Sequence, residues 1–159
     1  MDIKTRIKGK HNFPMCMAKV PVILTKEFDF EAGHHLEPYE GRCEFSHGHS
    51  YHMEVSVIGI PDLKTGLLVD FKIIKDVVNE IIDELDHNYL NDYFNFNTTC
   101  EHMIRYLWCA IENKLPIQVD LEEIKLWETR KSHATLNRRM VMEYSNPEEC
   151  HGSCNLEEC

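Results

Sequence analysis

The segment CEFSHGHS, residues 43–50, brings a thiol, a carboxylate and two imidazoles close together. On an extended strand, residues two positions apart project from the same face, about 6.6–6.8 Å from each other. His47 and His49 could therefore converge on one cation. A catalytic zinc site usually has three protein ligands and one open position, so a third donor must come from another segment. The alternative is a polar strand end that binds no ligand.

The segment FDFEAGHHL, residues 28–36, offers a third donor in His34. Its apolar and charged residues alternate, which is the pattern of a half-buried strand, and His34 falls on the apolar side. The segment HGHSYHMEVSVIGI, residues 47–60, alternates in the same way and places on one face His47, His49, Tyr51, Met53, Val55 and Val57. Three imidazoles on two neighbouring strands favour zinc, although copper or nickel could compete in vitro.

Cys43 lies four residues before His47, and three roles are open for it: a fourth metal ligand, a base or an inert loop thiol. A free thiol has a pKa of about 8.5, which a nearby metal or imidazolium lowers enough to make the thiolate a base at neutral pH. Further polar pairs, Asp86-His87 and Glu128-Thr129, stand at the ends of other predicted elements. Their presence favours a reactive centre.

The rest of the sequence predicts two helices and two more strands. Asp70 is the predicted N-cap of an amphipathic helix that ends near Asp86. Thr98 is the predicted N-cap of a second helix, in which Glu101 completes a capping box, and Pro116 ends it. The alternating stretches EEIKLWETRK and HATLNRRMVMEY predict strands, so the expected order is β-β-α-α-β-β.

Length and charge restrict the class of protein. A chain of 159 residues predicts one domain that needs no disulfides. Its net charge of -10 argues against a nucleic-acid partner, because such partners require a basic face. The apolar stretch over residues 15–24 is interrupted by Lys19 and Pro21, which predicts neither a signal peptide nor a membrane segment. We therefore expect a cytoplasmic protein with reduced thiols.

The seven cysteines are unevenly spaced and do not suggest a disulfide framework. Cys100 and Cys109 lie on or beside an apolar helical stripe and are interpreted as small core residues. Residues 1–19 are predicted to be a flexible extension, residues 20–144 the domain, and residues 145–159 a disordered acidic tail. A second metal site in the tail is the less favoured interpretation, because the spacing fits no standard zinc motif in Cys150, His151, Cys154 and Cys159.

Several motifs, taken in order, resemble the 6-pyruvoyl-tetrahydropterin synthase family, which includes the bacterial 6-carboxytetrahydropterin synthases of queuosine synthesis. They are FDFEAGHHL, CEFSHGHSY, TGLLVDFKIIK, ELDHNYLND, TTCEHM and KLWET. The resemblance implies an α+β tunnelling fold, in which an antiparallel sheet with two helices on one face oligomerises into a barrel. It also implies a homo-oligomer, a hexamer of two stacked trimers, with active sites between subunits.

The resemblance implies a set of site residues and a reaction. The zinc ligands are His34, His47 and His49; the catalytic residues are Cys43, Asp86, His87 and Glu128; the pterin-binding residues are Thr99, Glu101 and Glu128. The implied zinc-dependent lyase converts 7,8-dihydroneopterin triphosphate to 6-carboxy-5,6,7,8-tetrahydropterin or 6-pyruvoyl-tetrahydropterin. Cys43 would remove a proton, and His87, oriented by Asp86, would shuttle protons on the other side. No redox cofactor is needed, because the electrons move within the substrate.

Glu44, directly after Cys43, departs from the simplest synthases of this family. In a folate-pathway branch, a glutamate near this place replaces the cysteine, and the enzyme cleaves the side chain to give 6-hydroxymethyl-7,8-dihydropterin. Adjacent Cys43 and Glu44 resemble a mixed subgroup in which both bases are present. Glu44 could equally be a solvated loop carboxylate. A pterin-binding homologue without turnover is a further alternative, but the matching catalytic and metal positions speak against it.

Overall fold

The computed structural model describes residues 12–145, which form an α+β fold around one sheet. The strands are β1 (Val22–His34), β2 (His47–Gly59), β3 (Asn88–Tyr89), β4 (Asp120–Thr129) and β5 (Ser132–Asn137), and the helices are α1 (Phe71–Ile82), α2 (Cys100–Glu112) and α3 (Arg138–Tyr144). The spatial order of the strands is β3-β1-β2-β4-β5. The α+β class predicted from the sequence is confirmed.

The antiparallel ladder between β1 and β2 carries the candidate metal ligands. Both strands pair along their whole length in one register, from Val22 opposite Gly59 to His34 opposite His47. In the second half of β1, Phe28, Phe30, Ala32 and His34 are buried, while the acidic residues between them are exposed. Because side chains alternate between the two faces of a strand, His34 faces the core at the end of the ladder.

Helices α1 and α2 cover the buried face of the sheet. Their apolar stripes join the strand residues in a single core cluster, to which they contribute Ile74, Val78, Ile81, Ile82, Met103, Ile104, Leu107, Trp108, Ala110 and Ile111. Asp70 caps α1 as predicted, because its carboxylate accepts a hydrogen bond from the Lys72 N–H at 2.8 Å. The two helices predicted from the sequence therefore lie on one face of the sheet.

The cap of α2 differs from the prediction by one residue. Its N-cap is Thr99, whose hydroxyl accepts a hydrogen bond from the His102 N–H at 3.3 Å. Thr98 is fully buried and contacts His34 instead. Two adjacent threonines compete for the same cap, and only the tertiary contact decides between them.

The sheet is mixed rather than antiparallel, and a third helix follows the last strand. β3 consists of two residues that pair in parallel with Ala32 and Gly33, and so short a strand carries no sequence period. The last predicted strand ends at Asn137, whose side chain accepts a hydrogen bond from the Met140 N–H and so caps α3. Arg138 then pairs with Asp120 at 3.1 Å. The predicted order β-β-α-α-β-β therefore lacked β3 and α3.

Two edges of the sheet have no strand neighbour among residues 12–145. β3 covers β1 only at Ala32 and Gly33, which leaves the preceding part of β1 as an open edge, and β5 forms the opposite edge. Unpaired N–H and C=O groups at such edges can pair with another chain. No helix in this part of the chain has the length and hydrophobicity to cross a membrane.

The predicted terminal segments lie partly outside the described residues. Residues 12–19 of the N-terminal extension contain one 3-10 turn, Met15–Met17, and none of their side chains is buried. The cysteine-rich tail, with Cys150, His151, Cys154 and Cys159, lies outside the described residues.

Candidate active site

Three histidines converge at the end of the β1–β2 ladder, on the face that the helices cover. His34 pairs with His47 across the ladder, and His49 pairs with Ala32 two residues further along. One ring nitrogen of each histidine lies within 4.8 Å of the other two, and within residues 12–145 this is the only such group of candidate metal ligands. The structure therefore brings together all three histidines that the sequence singled out.

Hydrogen bonds on the far side of two rings fix which nitrogens carry protons. The Nδ1 of His34 lies 2.9 Å from the Thr98 carbonyl oxygen, and the Nδ1 of His47 lies 2.8 Å from the Phe45 carbonyl oxygen. A carbonyl oxygen can only accept, so each Nδ1 must donate. The two Nε2 atoms are then unprotonated in the neutral rings, yet they face each other at 3.1 Å.

Facing lone pairs repel each other unless a proton or a metal ion lies between them. A tetrahedral zinc ion with Zn–N bonds of about 2.0–2.1 Å holds its nitrogens about 3.3 Å apart. The observed distance between the Nε2 atoms of His34 and His47, 3.1 Å, is close to this value. The Nε2 of His49 is buried and has no hydrogen-bond partner within residues 12–145. Burial, above all, lowers the pKa of His34 to about 4, so this ring is neutral at physiological pH. The donor set and the orphaned nitrogen fit a zinc ion.

Glu128, near the end of β4, borders the histidine group. Its Oε1 lies 3.6 Å from the Nε2 of His34 and 3.7 Å from the Nε2 of His49. The pKa of His49 is lowered, mainly by burial, and the negative charge of Glu128 opposes that shift. The carboxylate therefore lies within reach of a ligand bound at the histidines.

Cys43 lies on a 3-10 turn, Arg42–Glu44, that is tied to the end of β1. The Leu36 N–H donates to the Cys43 carbonyl oxygen at 2.9 Å, which holds the turn two residues beyond His34. Cys43 is half-buried, whereas Glu44 is exposed and lines an open cavity of about 830 Å³ together with Tyr39 and other loop residues. Successive residues of a 3-10 helix point about 120° apart, so these two side chains face different directions.

Asp86 and His87 form a dyad, but they do not join the histidine group within one chain. The Nδ1 of His87 lies 2.9 Å from Asp86, whose other oxygen accepts a hydrogen bond from the Glu31 N–H at 2.8 Å. These two contacts, the Glu31 N–H first, lower the pKa of Asp86. The exposed ring of His87 lines a cavity of about 290 Å³ together with Glu31 and Ser50. Glu31 and Ser50 are exposed residues that alternate with the buried residues of their strands, so the dyad opens on the face of the sheet opposite the core, although the cavity also reaches residue His49.

Comparisons with known proteins identify one family for this chain. The family model described as 6-pyruvoyl tetrahydropterin synthase matches residues 23–139. The chain belongs to this family. It is 36% identical over 127 residues to the 6-carboxy-5,6,7,8-tetrahydropterin synthase of Rickettsia conorii, which covers 66% of this chain and 92% of that protein. It is also 36% identical over 99 residues to the dihydroneopterin monophosphate aldolase of Pyrococcus furiosus, which covers 62% of this chain and 82% of that protein.

A solved structure of the 6-pyruvoyl tetrahydropterin synthase family has the same fold. The Caenorhabditis elegans 6-pyruvoyl tetrahydropterin synthase superposes with a TM-score of 0.69 at 23% identity and covers 76% of this chain and 97% of that chain. At this identity, the likeness concerns the fold alone.

The remaining predicted positions of this family member lie at the start of α2. Thr99 caps the helix and Glu101 is exposed in its first turn. The preceding Thr98, which the sequence analysis treated only as a cap, supports His34 through its carbonyl oxygen and, at 3.1 Å, its hydroxyl. Such outer contacts orient metal-binding imidazoles. The adjacent threonines at the predicted start of α2 were the only signal for this contact.

Tyr89 joins the ends of β1 and β2 beside the candidate metal ligands. Its hydroxyl lies 2.5 Å from the Nδ1 of His35 and 2.8 Å from the hydroxyl of Ser46. His35 follows His34 of the histidine group, and Ser46 precedes His47 of the same group. Tyr89 carries no sequence signal for this role, because its partners are distant in sequence.

We expect the Tyr89→Phe variant to lower the free energy of unfolding by about 1–2 kcal/mol, because two hydrogen bonds are lost and His35 keeps an unpaired nitrogen. Urea unfolding of the metal-free protein measures this change. Tyr93→Phe is the matched control, since the exposed Tyr93 hydroxyl makes one longer bond of 3.3 Å to Asn88. Its effect should stay below about 0.5 kcal/mol. Equal effects of the two substitutions would contradict the role given to Tyr89.

Proposed function

We propose that this protein is a zinc-dependent lyase that converts 7,8-dihydroneopterin triphosphate to a tetrahydropterin, either 6-carboxy-5,6,7,8-tetrahydropterin or 6-pyruvoyl-tetrahydropterin. The observation that carries the proposal is the convergence of three imidazole Nε2 atoms beside the turn that holds Cys43. The relative from Rickettsia conorii supports the 6-carboxy product. Queuosine biosynthesis is the pathway in which such a product would be used.

Each residue of the proposed site has one task. His34, His47 and His49 would hold the zinc, which would supply Lewis-acid chemistry and so make protons beside the side-chain hydroxyls of the substrate easier to remove. Cys43, as the thiolate, accepts one of these protons. Glu128 accepts hydrogen bonds from the amino-pyrimidinone edge of the pterin, with Thr99 and Glu101 beside it at the start of α2.

In this proposal, Asp86 and His87 serve the site of a neighbouring chain. Their position on the face of the sheet opposite the histidine group supports this division, as does the exposure of the His87 ring. The open edges of β1 and β5 are suited to join subunits into the barrel of a hexamer made of two stacked trimers. One complete site would then contain residues of two chains.

Identification of the products tests the proposed reaction. The zinc-loaded protein is incubated with 7,8-dihydroneopterin triphosphate, and the pterins formed are identified by mass spectrometry. We expect a carboxy- or pyruvoyl-tetrahydropterin, and no product after the zinc has been removed with a chelator. Turnover that persists in the metal-free protein would contradict the role of zinc. Absence of turnover at full zinc occupancy would reject the lyase and leave a pterin-binding homologue.

Side-chain cleavage to 6-hydroxymethyl-7,8-dihydropterin is a second candidate reaction. Glu44, a carboxylate directly after Cys43, and the aldolase relative from Pyrococcus furiosus favour it. The two bases face different directions, so each would act on a different bond or in a different pose of the substrate.

We expect the Glu44→Gln variant to form at least about 100-fold less 6-hydroxymethyl-7,8-dihydropterin, because an amide cannot accept the proton. Tetrahydropterin formation should stay near the wild-type rate. Glu40→Gln, on the same exposed loop cavity, is the control and should change neither product. Unchanged hydroxymethyl formation by Glu44→Gln would remove Glu44 from the chemistry.

A further inference from the structure

Two buried side-chain atoms within residues 12–145 have no hydrogen-bond partner: the Nε2 of His49 and the hydroxyl oxygen of Tyr51. A metal ion accounts for the first atom. It does not account for the second, because a phenol at neutral pH keeps its proton and is not one of the converging nitrogens. An unpaired buried hydroxyl destabilises the folded state, so its retention calls for a partner that it gains when the site is occupied.

The ring of Tyr51 is held in one direction by its neighbours. It stacks on Phe30 with the ring centroids 4.8 Å apart and the planes 8° apart, and it meets the ring of His49 at 5.7 Å. Only 1% of the residue is exposed. The hydroxyl therefore has a fixed position next to the histidine group.

Tyr51 and Glu128 flank the end pair of the β2–β4 ladder, His52 and Trp127. His52 pairs with Trp127 and Met53 with Leu126 in the antiparallel β2–β4 ladder. Extending this register by one residue places Tyr51 opposite Glu128 on the buried face. Side chains opposite each other on one face are direct neighbours. His49 lies beside both groups, since its ring meets that of Tyr51 at 5.7 Å and its Nε2 lies 3.7 Å from the Oε1 of Glu128.

We propose that Tyr51 is a positioning residue for Glu128: its hydroxyl donates a hydrogen bond to the carboxylate when the pterin binds. In the described structure, the Glu128 carboxylate leans toward the Nε2 atoms of His34 and His49, which leaves the hydroxyl unpaired. When the Tyr51 hydroxyl donates to the Glu128 carboxylate, the remaining lone pairs of the carboxylate stay free to accept hydrogen bonds from the amino-pyrimidinone edge of the pterin. This inference rests on the proposed function, which gives Glu128 its pterin contact.

Equilibrium binding tests this inference without any need for turnover. We expect zinc-loaded Tyr51→Phe protein to bind 7,8-dihydroneopterin about tenfold more weakly than wild type in a fluorescence titration, as for the loss of one hydrogen bond to a charged group. Its zinc content should not change. Its melting temperature should stay the same or rise, because the substitution removes a buried hydroxyl that has no partner in the free protein. Tyr106→Phe, a half-buried tyrosine packed on Phe94, is the control and should bind normally.

The effect should also depend on the carboxylate. In a Glu128→Gln background, Tyr51→Phe should weaken binding less than twofold, since the two residues act on one contact. Wild-type affinity in Tyr51→Phe, or equal tenfold effects in both backgrounds, would overturn the inference. A melting temperature lowered by several degrees with unchanged binding would also overturn it, because the hydroxyl would then serve only the fold.

The result for the wild-type protein separates this inference from the proposed function. Binding of 7,8-dihydroneopterin without turnover of its triphosphate would reject the lyase. The role of Tyr51 would then be decided by the difference in affinity between wild type and Tyr51→Phe. Turnover with equal binding by wild type and Tyr51→Phe would reject only the positioning role. No pterin binding by the wild-type protein would reject both.

Discussion

We expect the His49→Ala variant to lose bound zinc and lyase activity together. The substitution removes one of three converging nitrogens and leaves two ligands, which is fewer than a catalytic zinc site retains. The zinc affinity should fall by more than about 100-fold, the upper end of the effect seen for loss of an outer contact. Metal analysis after dialysis against a zinc buffer, with a parallel activity assay, measures both losses.

The matched control for this prediction is His52→Ala. His52 lies on the same strand but on the opposite face, where its Nδ1 contacts Asp29 at 2.8 Å. Loss of this imidazole should change neither zinc content nor turnover. If His49→Ala retained zinc with wild-type affinity, His49 would not be a ligand.

The second large effect is a loss of turnover on substitution of Cys43 or His87. We propose that each active site takes Cys43 from one chain and His87 from a neighbouring chain. The Cys43→Ala and His87→Ala variants should each keep zinc and lose turnover by about 10²–10⁴-fold, the usual contribution of a general acid or base. When the two inactive proteins are co-assembled at random, about one site in four receives both native groups. The mixture should therefore recover about a quarter of the wild-type activity.

Complementation of this kind distinguishes a shared site from a site within one chain. A mixture that stays inactive, although mixed oligomers are shown to form, would mean that Cys43 and His87 act from the same chain. The separately refolded variants are the control and should remain inactive. Loss of zinc in Cys43→Ala would make the thiol a metal ligand instead of a base.

The histidine group could be predicted from the sequence because strand parity alone determines it. His47 and His49 share a face by their spacing, and the alternation that ends in FDFEAGHHL puts His34 on the buried side. Antiparallel pairing of the two strands then brings the three rings to one end of the ladder. The Asp70 cap of α1 could be predicted because the preference for an N-cap residue is also local in sequence.

Features that depend on distant contacts could not be predicted in this way. The two-residue β3 has no period, yet its pairing with β1 decides on which face of the sheet His87 lies. The choice of Thr99 rather than Thr98 as the cap of α2 follows from the bond between Thr98 and His34. The unpaired hydroxyl of Tyr51 carries no sequence signal, since an inward tyrosine on a strand is usually a core residue.

X-ray absorption fine structure of the zinc-loaded protein tests most directly whether the histidine group holds the metal and leaves Cys43 free as a base. We expect a first shell of nitrogen and oxygen atoms at about 2.0–2.1 Å with imidazole outer-shell scattering. The shell should be the same in the Cys43→Ala variant. A sulfur atom at about 2.3 Å that disappears in Cys43→Ala would contradict this division of roles, because the thiol would then be a ligand.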